Sequence, residues 1–218
     1  MDVPRGFKAP FQDRTWPAKL GIGIVVGVLG ITGPALIGYE MAYMRSVSVG
    51  DERLPEWNGF LQYWVRGFAV LIALIPYVVV GLLLFGIGII PALILFAAAI
   101  VEYAMTDRWS SMFSLRDLWH RIRANDSFWQ ALLVTYGISA LASAIIGRAG
   151  NPTGTFVVNA IVQAFLAFVG GHLFGQWANE AFVSATTTPN FPSHMPGGGY
   201  QPPPPPPPPV STPPRPTP

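Results

Sequence analysis

The stretch between Arg66 and Glu102 constrains the fold most, because it is almost entirely apolar and carries no charged residue. One helix needs about 20 apolar residues to cross a bilayer, and this stretch has nearly twice that length. It therefore predicts two spanning helices, at about 64–84 and 88–105, packed against each other as a hairpin. The turn between them is predicted at Phe85-Gly86-Ile87-Gly88, where two glycines supply the backbone freedom that a tight turn needs.

The composition agrees with an integral membrane protein. Hydrophobic residues make up 51% of the chain and charged residues only 11%, and the mean hydropathy is +0.42. The net charge of +2 does not indicate a surface that binds nucleic acid. The absence of cysteine excludes disulfides, thiolate metal sites and cysteine nucleophiles. The sequence has no HExxH or GxSxG motif, so we expect a protein that is not an enzyme and binds no cofactor.

A polar lead-in, residues 1–19, precedes an apolar segment at 20–39 that is just long enough to cross a membrane. Glycines recur throughout this segment, and Gly33-Pro34 interrupts it. It either crosses as one helix or dips into the bilayer and returns at the interruption. The spacing Gly23-x-x-x-Gly27 indicates either close helix packing or a bend. Glu40 follows at the end of the segment. It is either an intramembrane carboxylate or, as we expect from its position, a residue that reaches water.

Conspicuous residues flank this segment on both sides. They are Pro10, Phe11, Asp13 and Trp16 in the lead-in, Gly38 and Tyr39 at the end of the segment, and Leu54-Pro55-Glu56-Trp57 in the loop that follows. This pattern resembles the prokaryotic membrane-protein family catalogued as domain of unknown function 4013, over roughly residues 7–183. The resemblance implies a helical membrane protein and a membrane location. It assigns no activity and no catalytic residue.

Two polar loops separate the apolar segments. In the first, aromatic residues recur at about helical spacing before the next span, which predicts an interfacial helix lying flat on the membrane; they are Trp57, Phe60, Tyr63 and Trp64. In the second, an amphipathic helix is predicted at about 114–124, with Ser114 and Asp117 as a capping box. Its basic face indicates either a helix lying on an anionic leaflet or a site for a lipid head group or partner, formed by Arg116, Arg121 and Arg123.

Two further spans are predicted, at about 128–147 and 155–180. The last span is the most polar, and its candidate intramembrane polar residues are Asn159, Gln163, His172 and Gln176. Such residues either line a path for a solute or a proton, or form hydrogen bonds between helices. The spacing Gly171-x-x-x-Gly175 favours close helix packing in the same span.

The remainder, residues 186–218, is rich in glycine and proline and includes an uninterrupted run from Pro202 to Pro209. That run predicts a stiff polyproline II rod of about 25 Å within a disordered tail. The rod is either a solvated spacer or a ligand for an aromatic-lined groove on a protein partner.

The distribution of Lys and Arg separates two topologies. If all five apolar segments cross, the basic residues divide almost evenly between the two sides of the membrane. If segment 20–39 is re-entrant, the lead-in and both polar loops share the cytoplasm and only Arg148 lies between spans on the other side. The second arrangement obeys the positive-inside rule, so we favour it.

The sequence thus predicts an all-α, polytopic helical membrane protein with four to five membrane-inserted segments, located in the cell membrane and surrounded by the lipid bilayer. The leading functional hypothesis is a non-enzymatic scaffolding or assembly subunit whose cytoplasmic loops and tail bind partners. The alternative is a small transporter or channel component, acting in a homo-oligomer, with a polar path along the last span. A lipid-handling enzyme has the least support from these residues.

Overall fold

The computed structural model of this chain describes residues 1–30, 33–84, 86–149 and 152–183. Within these ranges the regular structure is entirely helical. The α-helices are α1 (Val3–Gln12), α2 (Trp16–Val28), α3 (Gly33–Ser48), α4 (Phe60–Leu83), α5 (Ile89–Thr106), α6 (Leu115–Ala124), α7 (Ser127–Ile146) and α8 (Pro152–Ala178). All of them belong to one unit of the chain, Met1–Thr187. The predicted tail, 186–218, lies outside the described residues.

Four helical stretches are long and apolar enough to cross a membrane, and they contain α4, α5, α7 and α8. Large apolar side chains cover their outer faces: Leu83, Ile90 and Leu133 are each at least 70% exposed. A contiguous apolar surface of this extent is stable in lipid and not in water. The protein is therefore an all-helical, multi-pass membrane protein, and the predicted fold class is confirmed.

The long apolar run forms the predicted helical hairpin. Helix α4 ends at Leu83 and α5 begins at Ile89, and Gly86 in the turn between them has φ 78°. The prediction of a flat interfacial helix before α4 is wrong. A short 3₁₀ turn, Trp57–Gly59, leads directly into α4, and the rings of Trp57 and Tyr63 pack around Tyr39 instead of lying on the membrane surface.

Helix α8 is the central element, because α1, α2, α3 and α7 all pack against it. Its buried side chains include Phe168, Leu173 and Trp177. The predicted small-residue interface lies here: a Cβ atom added to Gly175 would be 2.6 Å from the Cβ of Val47 on α3. Only a glycine lets the two helices approach this closely.

The segment 20–39 is not one helix. Helix α2 has 13 residues and α3 has 16, and the chain turns between them at Gly30, whose φ is 62°. Each helix is shorter than the roughly 20 residues that a crossing requires. Of the two alternatives for this segment, the single crossing helix is therefore wrong, because the glycine-rich middle of the segment ends one helix before the next begins.

The two helices of this segment run in opposite directions along α8. On α2, Gly23 faces Ala164 and Gly27 faces Ala160, so α2 is antiparallel to α8. On α3, Glu40 lies beside Gly170 and Val47 beside Gly175, so α3 runs parallel to α8. Helices α2 and α3 therefore form a hairpin that enters the bundle and returns to the same end; we call it the re-entrant hairpin.

The helical connections gather at two opposite ends of this unit. The charged end holds residues 1–15, loop 49–59, loop 107–126 and the C-terminus of α8, joined by contacts such as Arg5 with Glu52 and Asn125 with Glu180. The turn end holds Gly30 at the tip of the re-entrant hairpin and the turns 86–88 and 147–149. Among the described residues, Arg148 is the one charged side chain in these turns.

Helix α6 matches the predicted amphipathic helix in its bounds. Leu118 and Ile122 are buried, whereas Arg116, Trp119 and Arg123 are exposed. The prediction of a capping box is wrong, because the side chain of Ser114 makes no capping hydrogen bond. Its backbone carbonyl instead accepts the N–H groups of Asp117 and Leu118, at 2.9 and 3.0 Å.

Candidate functional site in the helix bundle

A partly open cavity of about 180 Å³, with several polar side chains in a mostly apolar lining, lies where α3, α7 and α8 meet. Its polar lining residues are Glu40 from α3, Thr135, Tyr136 and Ser139 from α7, and Gln163 from α8. The remaining lining is formed by Gly33, Leu36, Ile37, Leu166 and Ala167. Oxygen-bearing side chains thus converge from three helices on one small space inside an otherwise apolar bundle.

Glu40 contributes the one carboxyl group among the residues that line this cavity. Its Oε1 atom lies beside α8 at Gly170, where an added Cβ atom would be 3.0 Å away, so the missing side chain at Gly170 makes room for the carboxylate. Within the described residues no hydrogen bond or ion pair reaches this carboxylate. An ionisable group inside a membrane bundle normally pairs with another polar group, so an unpaired carboxylate indicates a site for something that binds there.

Thr135 contributes a second unsatisfied group. Its Oγ1 atom is buried and has no hydrogen-bond partner in the part of the chain that the structure describes. It also faces Gly170, at 3.4 Å from the position of an added Cβ atom. Two polar groups without partners, Glu40 and Thr135, therefore flank the same glycine and the same cavity. A buried hydroxyl without a partner costs about 1–3 kcal/mol, which a bound water or cation would offset.

Asn159 and Gln163, two of the predicted polar residues, form a ladder with α7. The amide of Gln163 donates to Ser139 Oγ at 2.9 Å, and Ser143 Oγ donates to Asn159 Oδ1 at 3.4 Å. These contacts agree with one of the two roles considered for the polar residues of the last span, namely hydrogen bonding between helices. Gln163 also lines the cavity, so one residue serves both the helix contact and the site.

His172 and Gln176, the other two predicted residues, lie toward the charged end. His172 is fully buried, with Nδ1 at 3.3 Å from the hydroxyl of Tyr43. The side chain of Gln176 accepts from the backbone N–H of Asp2 at 2.7 Å and donates to its carbonyl at 3.2 Å. Gln176 therefore holds the N-terminal segment on α8. The four residues form two separate groups and not one continuous polar path.

The residues that carry the family resemblance meet at the base of the re-entrant hairpin. Lys19 Nζ lies 2.8 Å from Asp13 Oδ2, 2.7 Å from Glu56 Oε1 and 2.7 Å from the carbonyl of Leu54. Burial alone would raise the pKa of Asp13, but hydrogen bonds from Lys19 and Thr15 outweigh it and lower this pKa to about 2. The lead-in and the first loop are thus joined through one buried lysine.

Aromatic members of the same pattern complete this base. The rings of Tyr39 and Trp57 stack with centroids 4.2 Å apart, and the hydroxyl of Tyr39 donates to the carbonyl of Pro55 at 2.8 Å. Trp57 donates its indole N–H to the carbonyl of Lys19 at 3.2 Å. Phe11 meets Trp16 edge to face, at 4.8 Å between ring centroids. Pro10 is buried in α1, and Gly38 contacts the backbone of Tyr63. This cluster stabilises the hairpin and contains no evident reactive group.

Of the two alternatives for Glu40, the structure supports the one that the sequence did not favour, a carboxylate within the helix bundle. Glu40 is not at the end of a helix, because α3 continues to Ser48 before the chain reaches the loop. Its side chain instead points into the cavity. A usable signal was present in the sequence: the Gly170-Gly171 pair marks a place on α8 that leaves space for a neighbouring side chain. Among the described residues no cluster of histidine, aspartate and glutamate has the form of a metal site.

Comparison with known proteins assigns neither a family nor a function, since no protein family, no curated protein and no solved structure matches this chain.

Proposed function

We propose that this protein is a small transporter or channel component of the cell membrane, and that Glu40 binds the transported proton or small cation within the helix bundle. The observation that carries the proposal is the Glu40 carboxylate, which faces the cavity between α3, α7 and α8 and has no hydrogen-bond or ion-pair partner among the described residues. Ionisable residues at such depth typically mark ion or proton pathways. The proposed function is transport and involves no enzymatic reaction.

The chemistry of the cavity favours a proton or a monovalent cation over an anion. A carboxylate in a low-dielectric environment is stable either as the neutral acid or when a cation compensates its charge. Thr135, Ser139 and Gln163 add neutral oxygen atoms, which are suitable ligands for a small cation or for the water that accompanies it. A cavity of about 180 Å³ has room for a few water molecules or one small ion.

The re-entrant hairpin supports the same role. Glu40 lies on α3, one of the two short helices of this hairpin, and not on a helix long enough to cross. Interrupted helices that enter and leave from one side are a recurrent way to build ion sites at depth in transport proteins. The hairpin positions Glu40 against α7 and α8, and the cluster around Lys19 holds the base of the hairpin in place.

Orientation follows from the charges. Basic residues of the lead-in and of both loops lie at the charged end, whereas Arg148 lies at the turn end. The positive-inside rule then directs the charged end to the cytoplasm. In this arrangement α4, α5, α7 and α8 cross the membrane, and the re-entrant hairpin enters from the cytoplasmic side.

The proposal is tested by flux into liposomes that contain the purified full chain. A potassium diffusion potential drives cations inward, and dyes for protons, sodium or ammonium report their entry. We expect flux of one of these ions with the wild-type protein and its loss with Glu40→Gln, which keeps the shape of the side chain. Asp117→Asn, an exposed carboxylate on α6, is the matched control and should retain wild-type flux. Wild-type liposomes that are as tight as empty ones, or equal flux with Glu40→Gln, would contradict the proposal.

The scaffolding hypothesis rests on the basic loops, on the amphipathic helix and on residues 186–218, and this last stretch lies outside the described residues. It stays a prediction, and capture of membrane partners by the full chain and by a chain lacking 186–218 tests the role of the tail. Identical partners in both cases would show that the tail does not bind them.

A further inference from the structure

An apolar groove of about 300 Å³ runs along α4 and α5 to the start of α6. Aliphatic, aromatic and proline residues line it almost completely; they include Pro76, Val80, Leu84, Leu95, Phe113 and Leu115. It opens on the side of the bundle where exposed apolar residues of α4 also lie, such as Val79 and Leu83. A groove of this composition, on a surface that faces lipid, suits a hydrocarbon chain.

A basic recess of about 380 Å³ adjoins the groove along the chain. Leu115 lines the groove, and the next residue, Arg116, lines the recess together with Trp119, His120, Arg123 and Ala124. Arg116, His120 and Arg123 lie three and four positions apart on α6, so they share one helix face. Apolar and cationic binding surfaces therefore meet at the first turn of α6.

The cations of this recess have no anionic partner in the described part of the chain. The neighbouring Arg121 forms an ion pair with Glu102 at 3.0 Å, but no ion pair reaches Arg116 or Arg123. The guanidinium of Arg123 lies 5.8 Å from the ring of Trp119. Asp117 is on the same helix but does not line the recess. The recess is thus positively charged and open to an external anion.

Exposed tryptophans lie beside both surfaces. Trp109 and Trp119 are 46% and 48% exposed. Trp119 lines the recess, and Trp109 meets Phe113 of the groove edge to face, at 5.0 Å between ring centroids. Tryptophan concentrates at the level of lipid head groups, so this pair favours a head group at the recess. The groove continues from there to Gly88, in the turn between α4 and α5.

We infer that this surface binds one anionic phospholipid, with an acyl chain in the groove and the phosphate on Arg116 and Arg123. Charge complementarity selects an anionic lipid over a zwitterionic one, and the groove selects a lipid over a free phosphate. The inference does not rest on Glu40 or on a transport role.

Native mass spectrometry of the purified full chain tests this site. The protein is mixed with equal amounts of phosphatidylglycerol and phosphatidylcholine that carry the same acyl chains. We expect phosphatidylglycerol to remain bound preferentially, and the double variant Arg116→Gln, Arg123→Gln to lower its retention on the order of tenfold. Both arginines are exposed, so the variant should fold. Arg148→Gln, at the turn end, is the matched control and should change nothing.

A second pair of variants tests the groove. Val80 lines it and is 54% exposed, whereas the adjacent Val79 is 47% exposed and does not line it. We expect Val80→Trp to lower lipid retention and Val79→Trp to leave it unchanged. Equal retention of the two lipids by the wild type, no effect of the arginine variant, or the same retention in both tryptophan variants would overturn the inference. Displacement of the lipid by an equal concentration of soluble glycerol phosphate would do so too, because it would indicate a site for free phosphate.

Discussion

Asp13 and Lys19 form a buried ion pair, with 2.8 Å between Oδ2 and Nζ, at the point where the lead-in enters the re-entrant hairpin. Lys19 also donates to the carbonyl of Leu54, so this one side chain joins the lead-in and the start of the hairpin to the loop that follows the hairpin. A lysine of this kind is costly to bury unless its hydrogen bonds are satisfied. The pair therefore fixes the hairpin base, and its ionisation should control the stability of that base.

The first prediction concerns the pH dependence of this pair. The folded-state pKa of Asp13 is about 2, below its ordinary value of 3.8, so the stabilisation is present above pH 3.8 and is lost as pH falls toward 2. The shift corresponds to about 2 kcal/mol. We expect Asp13→Asn to lower the melting temperature in detergent at pH 7. The difference from wild type should shrink as pH falls from 5 to 3.

Comparing the two proteins across this range separates Asp13 from the other carboxylates, which titrate in both. Asp126→Asn, an exposed carboxylate, provides a control that should follow the wild-type curve. A difference between Asp13→Asn and wild type that is constant with pH would show that the pair does not act through its charge.

The second prediction concerns the contact of α3 with α4. A Cβ atom at Gly38 would overlap the backbone carbonyl of Tyr63, so Gly38→Ala must push the two helices apart. Overpacking of this kind typically costs about 1–3 kcal/mol, and here the obstacle is backbone that cannot rotate away. We expect a clear fall in melting temperature. Gly137→Ala on α7, where nothing lies within 4 Å, should be neutral or stabilise by about 1 kcal/mol. Equal effects of the two substitutions would contradict this account.

The spanning helices could be predicted from the sequence because long charge-free stretches leave few alternatives in a membrane protein. The helix predicted at 88–105 is Ile89–Thr106, and the one predicted at 128–147 is Ser127–Ile146. The segment 20–39 was harder, since its length fits a crossing helix while its glycines fit a break. Which of these holds depends on what packs beside it, and the answer comes from Ala160 and Ala164 on α8.

The site could be predicted only in part. Gln163 was identifiable because an amide in the middle of an apolar helix needs a partner or a function. Glu40 was misplaced, because its position near a polar loop indicated water. Its environment is set by Gly170 and Thr135, which are distant in the chain and reach it only through the packing of α3 against α7 and α8. The sequence around Glu40 carries no information on that contact, and the Gly170-Gly171 pair on α8 marks the space without saying which side chain fills it.

The third prediction concerns topology and uses the absence of cysteine in the chain. Single substitutions Arg14→Cys, Asp51→Cys and Asp126→Cys place a thiol at exposed positions of the charged end, and Arg148→Cys places one at the turn end. In intact cells we expect a membrane-impermeant maleimide to label only the thiol at position 148. All four should react after the cells are opened. Labelling at position 51 in intact cells would contradict the proposed orientation.

The fourth prediction separates the structural role of the polar ladder from its role in the cavity. Gln163→Leu removes the hydrogen bonds to Ser139, and such bonds between membrane helices contribute only about 0.6 kcal/mol on average. The melting temperature should therefore change little, as with Gln130→Leu, an exposed glutamine on α7 that serves as the control.

Ion flux should respond differently from stability. Gln163→Leu replaces an amide that lines the cavity with an apolar side chain, so it removes a potential oxygen ligand near Glu40. We expect liposome flux to fall several-fold, and to fall further when Asn159→Leu is added, while Gln130→Leu keeps wild-type flux. If the Asn159→Leu, Gln163→Leu protein conducts like the wild type, these residues serve only to join α7 to α8. The transport proposal would then depend on Glu40 alone.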